Sequence, residues 1–118
     1  MAAKDDLGRQ GEDVAAQWFQ RHGYTVIDRN WRCRAGELDL IVRREETTVF
    51  VEVKTRTSVA FGHPFEAITT AKAARLRRLA AEWCAAQNGG LAHLRIDAIA
   101  VIDAWSAAPQ IEHLTDIA

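Results

Sequence analysis

Two β-rich runs, GELDLIVRR beginning at Gly36 and TTVFVEVKTR ending at Arg56, are separated only by Glu45 and Glu46, and that junction constrains the fold more than any other feature. A link this short joins antiparallel strands, because parallel neighbours need a crossover of roughly a dozen residues or more. Along the second run Val49, Val51 and Val53 share one face, and Phe50, Glu52, Lys54 and Arg56 share the other. In the first run Asp39 points opposite to Leu38 and Leu40 and shares its face with Glu37 and Ile41. Counted outward from the junction, Asp39 lies six residues before Glu45 and Glu52 six after Glu46, so symmetric pairing sets the two carboxylates opposite each other. A slip of one residue would reverse the facing of a whole strand. At about 5 Å and an effective dielectric of about 20, two carboxylates repel by roughly 3 kcal/mol. Lys54, one pleat from Glu52, offsets part of that, and a divalent cation would offset more. Taken alone, a Glu-x-Lys pair is also an ordinary ion pair on the wet side of a half-exposed strand.

The remaining chain supplies the frame. Leu7, Gly11, Val14, Trp18 and Arg21 recur at helical intervals, which predicts a first helix from about Asp6 to His22 with Gly23 as its stop. YTVIDRNWR alternates as a first strand, so three consecutive strands form a meander. A loop of about nine residues from Thr57 to Phe65, containing Gly62 and Pro64, leads to a second helix from about Thr70 to Gln87, closed by Asn88, Gly89 and Gly90. The run from Ile96 to Ile102 is nearly all apolar, as a strand covered on both faces should be, and a weak last strand is expected from Gln110 to Thr115. The order is helix, three strands, helix, strand and an optional further strand, in one α/β domain over residues 1–118.

With 118 residues and 48% hydrophobic content, one core is expected. No stretch approaches the roughly 20 apolar residues of a membrane helix, and the N-terminus lacks the apolar segment of a signal peptide, so a soluble, cytoplasmic protein with no membrane partner is expected. The net charge of -1 gives no global attraction to nucleic acid, so any such contact must come from local clusters. Cys33 and Cys84 lack metal spacing and are expected to be incidental thiols; His22, His93 and His113 likewise lack ligand spacing.

Magnesium prefers oxygen ligands, keeps several waters and commonly takes one or two carboxylates together with phosphate oxygens. Asp39 and Glu52 supply such a pair, and Lys54 beside them can orient a water and meet negative charge. GELD followed by FVEVK resembles the D…ExK core of the PD-(D/E)xK nuclease superfamily, with Asp39 and Glu52 in the metal positions and Lys54 as the catalytic lysine. The short motif is common by chance; the wider order is more specific. Gly8 to Glu12 (GxxGE), GELD, FVEVKTR, Gly62-His63-Pro64, Lys72 and Arg95-Ile96-Asp97 together look like the YraN-type family of small bacterial proteins, similar to archaeal Holliday junction resolvases, over about residues 7–103. That resemblance implies a restriction-endonuclease-like three-layer fold, with a mixed sheet of four to five strands flanked by helices, and a Mg2+- or Mn2+-dependent endonuclease acting on DNA, with branched DNA among the candidate substrates. Family chemistry would leave a 5′-phosphate and a 3′-hydroxyl.

By the same resemblance Glu12 is the extra acidic residue that completes the metal site in resolvases, against an exposed helical Glu. Glu37 either assists the metal or caps the start of its strand. Lys72 falls where related nucleases carry a polar or basic active-site residue, against a solvated helix face. For nucleic-acid contact the candidates are Arg56 on the strand of Glu52, Arg29, Arg32 and Arg34 around Trp31, and Lys72, Arg75 and Arg78, which share a helix side more closely than Arg77 does. Partial packing of Trp31 in the core is the competing account. Phe61 and His63 follow the active strand, where a gate, DNA contact or dimer contact would be reasonable. A homodimer follows only by analogy with resolvases, which cut paired strands with two sites. The alternative function is a DNA-processing adaptor that binds nucleic acid with little or no turnover; a purely structural charged face at a subunit contact is the third.

Overall fold

The computed structural model describes residues 3–58, 60, 62–87 and 93–118, with side chains described from residue 6 onward within that set. Its elements are α1 (Ala3–Arg21), β1 (Thr25–Cys33), β2 (Gly36–Arg44), β3 (Thr47–Arg56), a short 3-10 helix (Pro64–Ala67), α2 (Thr70–Ala85), β4 (His93–Ile102) and β5 (Gln110–Leu114). The five strands form one sheet in sequence order. β3 and β4 are parallel, joined through α2, and every other neighbouring pair is antiparallel. This is the expected mixed α/β architecture, including the optional last strand.

Each face of the sheet carries a helix. Ala15 and Phe19 of α1 pack against Leu40, Val42, Val49, Val51, Ile99 and Val101. On the other face, Leu76, Leu79 and Trp83 of α2 pack against Ile41, Phe50 and Ile96. The two clusters use opposite parities of β3 and β4, as the pleat requires. β4 is buried without a break from Ile96 to Ile102 because both faces are covered. The face of Phe50 and Glu52 is therefore no wet side: α2 lies over it, and both residues are buried.

Strict alternation fails at Asp39. Leu38 packs in the α2-side cluster with Ile41, whereas Leu40 packs on the α1 side, so the expectation that the two leucines share a face is corrected. The neighbouring strand is irregular at the same level. β1 and β2 pair as Arg29↔Leu40 and Trp31↔Leu38, but Asn30, with φ 52°, sits between them in a left-handed conformation and pairs with nothing in that ladder. Asn tolerates this conformation far better than β-branched residues do. A second irregularity in β1 falls between Val26 and Asp28.

The segment after β3, expected as plain loop, contains the 3-10 helix. Pro64 fixes its first turn and His63 Nδ1 accepts from the Phe65 amide at 3.1 Å. Phe61 and the expected stop at Asn88, Gly89 and Gly90 lie outside the described residues. On the α1 side, Asp97 is fully buried and fully bonded: Arg95 donates to both its oxygens at 2.9 Å, His113 Nε2 lies 2.7 Å away and the Asp116 amide donates at 3.0 Å. Arg95 also reaches the Tyr24 hydroxyl at 2.9 Å, so one carboxylate ties β4 to β5, the C-terminal segment and the start of β1.

Gly11 sets how closely α1 approaches the sheet. A Cβ there would meet Thr55 Oγ1 at 2.0 Å and Thr55 Cγ2 at 2.7 Å. Ala ordinarily stabilises a helix interior relative to Gly by about 1 kcal/mol. Here Gly11→Ala should instead destabilise by roughly 1–3 kcal/mol through overpacking, with partial recovery in Gly11→Ala/Thr55→Ala; urea denaturation would measure it, and a stabilised single variant would contradict this account of the helix–sheet contact.

Candidate functional site

Glu52 occupies the middle of β3, only 4% exposed. A buried carboxylate needs compensating partners, since losing its hydration costs several kcal/mol. Two ammonium groups supply them: Lys54 Nζ at 3.2 Å from the same strand and Lys72 Nζ at 2.9 Å from the first turn of α2. The helix start is fixed by Thr69, whose side chain accepts from the Lys72 amide at 3.1 Å. The cap that begins α2 thus also places Lys72 over Glu52.

Asp39 reaches the same spot from β2. The β2–β3 ladder runs from Arg44↔Thr47 to Leu40↔Val51, and continuing it by one pair faces Asp39 with Glu52. The hairpin register expected from the Glu45-Glu46 turn is the observed one. At this level the Asp39 carboxylate accepts from the Val53 amide at 2.9 Å, taking a backbone donor of β3 for itself. Burial, and then the charge of Glu52, push the Asp39 pKa up to about 8, with Glu12 adding to the rise and the Val53 amide opposing it. Near neutral pH Asp39 therefore holds its proton and donates it to Glu52, the hydrogen bond that accompanies this shift.

Glu12 faces this pair from α1, half-buried. Its pKa is raised, chiefly by burial, while a hydrogen bond from the Asn30 side chain and the charge of Arg29 act in the opposite direction. The strand irregularity at Asn30 thus has a second effect, holding the third acidic group. Glu37 is turned elsewhere: its carboxylate accepts from Arg32 Nε at 2.5 Å, and its charge acts on Glu12. Among the described residues, no group of three or more His, Cys, Asp or Glu side chains is gathered as a ready metal cage. The candidate donors are the Asp39–Glu52 pair, with Glu12 nearby.

The basic candidates separate into two groups. Lys72, Arg75 and Arg78 line one shallow cavity of about 390 Å³ together with Thr69, on one flank of α2. Arg77 lines a different cavity, shared with Phe65 and Ile117, as the helical spacing predicts. Arg56 is exposed at the end of β3. Arg32 is exposed but engaged with Glu37, Arg29 pairs with Asp13 at 2.7 Å, and Trp31 is half-buried against the α2-side core. His63 is tied to Glu112 at 2.5 Å as well as capping the 3-10 helix.

Sequence patterning reads a polar corner from about Asn30 to Gly36, whereas β1 continues through Asn30 to Cys33. The bond of Asn30 to Glu12 and the packing of Gly11 on Thr55 were missed, because both are long-range contacts with no local signal.

The chain matches the model of the uncharacterised protein family UPF0102 over residues 11–101. It is similar to UPF0102 proteins of Leifsonia xyli subsp. xyli (60% identical over 117 residues, 99% of each chain) and Beutenbergia cavernae (53% over 117 residues, 99% of each). A UPF0102 protein of Nocardia farcinica is 48% identical over 111 residues, covering 94% of this chain and 87% of its own. The chain belongs to UPF0102, the YraN-type family that the order of its motifs resembles.

Proposed function

We propose that this protein is a divalent-metal-dependent endonuclease that hydrolyses DNA phosphodiester bonds, with branched or irregular DNA as the candidate substrate. The observation that carries the proposal is the Asp39–Glu52 pair, two adjoining carboxylates of which Glu52 is almost fully buried, so that their mutual repulsion is costly. A fold gains nothing by placing a second acid against a buried first one, and such pairs are characteristic of sites that bind cations or move protons. Mg2+ or Mn2+ fits a donor set of this size, because it takes one or two protein carboxylates and fills its remaining positions with water and phosphate oxygens.

In this scheme Asp39 and Glu52 hold the metal, with Glu12, steadied by Asn30, as the third acidic group. When bound, the ion would supply Lewis-acid stabilisation of phosphate charge and a more acidic water. Lys54 stays beside Glu52 on a rigid central strand and directs its ammonium at the attacking water and the phosphate oxygens. In the hydrolysis, the water oxygen bonds to phosphorus, the bond to the 3′ oxygen breaks and a proton passes to that oxygen. This leaves a 5′-phosphate and a 3′-hydroxyl. Arg56 and the row of Arg75 and Arg78 provide exposed cations for the flanking backbone. Trp31, packed against the core, suits base stacking less well.

One observation favours the adaptor as a second reading. The buried Glu52 carboxylate already has counter-ions of its own, lying between Lys54 and Lys72, so the site can persist without a metal.

Linear, single-stranded, flap and four-way DNA incubated with Mg2+ or Mn2+ should distinguish the two. The nuclease predicts metal-dependent cleavage that falls by roughly 100-fold or more in Glu52→Ala and Lys54→Ala. Cleavage unchanged in both variants would remove these residues from the site, and metal-independent binding of branched DNA without cleavage would establish the adaptor. The metal-free protein should also lose stability with rising pH. A carboxyl whose folded pKa lies above its unfolded value stabilises the fold fully below about pH 4, and that contribution is lost progressively as pH rises through the folded value of about 8. The slope approaches about 1.4 kcal/mol per pH unit for one proton within that window. Asp39→Asn should flatten it and exceed the parent protein in stability at pH 8, measured by chemical denaturation at a series of pH values; parallel curves would show that Asp39 is not the group responsible.

A further inference from the structure

Lys72 was expected to contact nucleic acid, but its ammonium is spent on Glu52 at 2.9 Å. Its place in α2 is unusual for a cation. Thr69 is the cap, so Lys72 is the third helical residue, at the positive end of the helix dipole, where an acidic residue is the favourable choice; the first turn of α2 contains none. Nothing in the helix itself rewards a lysine here. The compensation comes from across the layer, from Glu52.

Glu52 already has a cation from its own strand. Lys54 is two residues along β3, and its reach is fixed by the strand. Lys72 instead comes from a separate element and borders the cavity that also contains Arg75 and Arg78. Its long side chain has two anionic destinations: inward to Glu52, or outward to whatever anion lies along the row of arginines. We propose that Lys72 is a resident counter-ion, occupying Glu52 in the metal-free protein and displaced from it when a divalent cation binds.

This rests on the metal-site proposal above and adds a consequence that proposal lacks. Two carboxylates and two ammonium groups balance in formal charge only when both acids are ionised. A dication added to that set leaves an excess of positive charge at Glu52, and the group best able to leave is the one not fixed to the strand. Once displaced, Lys72 joins Arg75 and Arg78 on one flank, so metal entry would also complete a cationic row for phosphate. The cost is that the metal competes with a lysine, and the resting site binds metal more weakly than its carboxylates alone would.

The test is calorimetric titration of Mn2+ alone, without DNA, into the wild-type protein, Lys72→Gln and Arg75→Gln. Arg75→Gln removes a charge from the same helix flank and measures the general electrostatic effect. Lys72→Gln should bind Mn2+ more tightly than wild type by a factor of about 10, against about 2 or less for Arg75→Gln. Equal or weaker binding in Lys72→Gln, or an equal gain in Arg75→Gln, overturns the inference while leaving the metal site standing. No Mn2+ binding in either wild type or Lys72→Gln overturns the metal site and the inference with it. Nitrogen-15 spectra of the lysine side chains of the wild-type protein provide a readout that does not depend on a variant folding. Addition of Mg2+ should move the Lys72 ammonium signal to that of a solvated lysine, and an unmoved signal counts against displacement.

Discussion

The hydrogen-bonded pair of Asp39 and Glu52 is the constraint around which the rest of the molecule is arranged. Two acids in contact, one of them almost completely removed from water, oppose folding unless neighbours compensate. The compensation comes from two elements: β3 supplies Lys54 and the Val53 amide, and α2 supplies Lys72. Glu12 of α1, steadied by Asn30 of β1, adds a third acid to the load. Gly11 matters for the same reason, because it lets α1 come close enough to β3 for the adjacent Glu12 to be felt at Asp39.

The two faces of the sheet divide the work. On the α1 side a buried acid is fully satisfied: Asp97 receives two bonds from Arg95, lies against His113 and accepts from the Asp116 amide. That arrangement closes the sheet at β5 and has no acid left to neutralise. On the α2 side Glu52 takes two cations from different elements, and Asp39 adjoins it from the next strand with its pKa raised. Both are buried acidic sites in one small domain, and only the second brings two carboxylates together. The contrast between Asp97 and Asp39 separates an acid used as a structural tie from one held in an electrostatically costly place.

Much of this was legible before any coordinates. The two-residue link at Glu45-Glu46 fixes the register of β2 against β3, and with it the meeting of Asp39 and Glu52, because hairpin geometry is local. Helical spacing separates Lys72, Arg75 and Arg78 from Arg77 for the same reason. What escaped was non-local or irregular. The alternation that puts Leu38 and Leu40 on one face assumes an unbroken strand, whereas β2 is irregular at Asp39, level with the left-handed Asn30 of β1. The alternative of a wet face at Glu52 supposed that helices cover only the apolar side, whereas α2 covers it and brings its own lysine. Neither fact has a signature in the eight residues around Glu52.

The fold and the family follow from the topology and from the match to UPF0102, while the chemistry rests on whether the acid pair accepts a metal. Crystals grown or soaked with Mn2+ and measured near its absorption edge would decide that directly. The account predicts an anomalous peak within ligand distance of both Asp39 and Glu52, with the Lys72 ammonium moved away from Glu52. Saturating Mn2+ with no peak at that pair, and the Glu52–Lys72 contact intact, would contradict it.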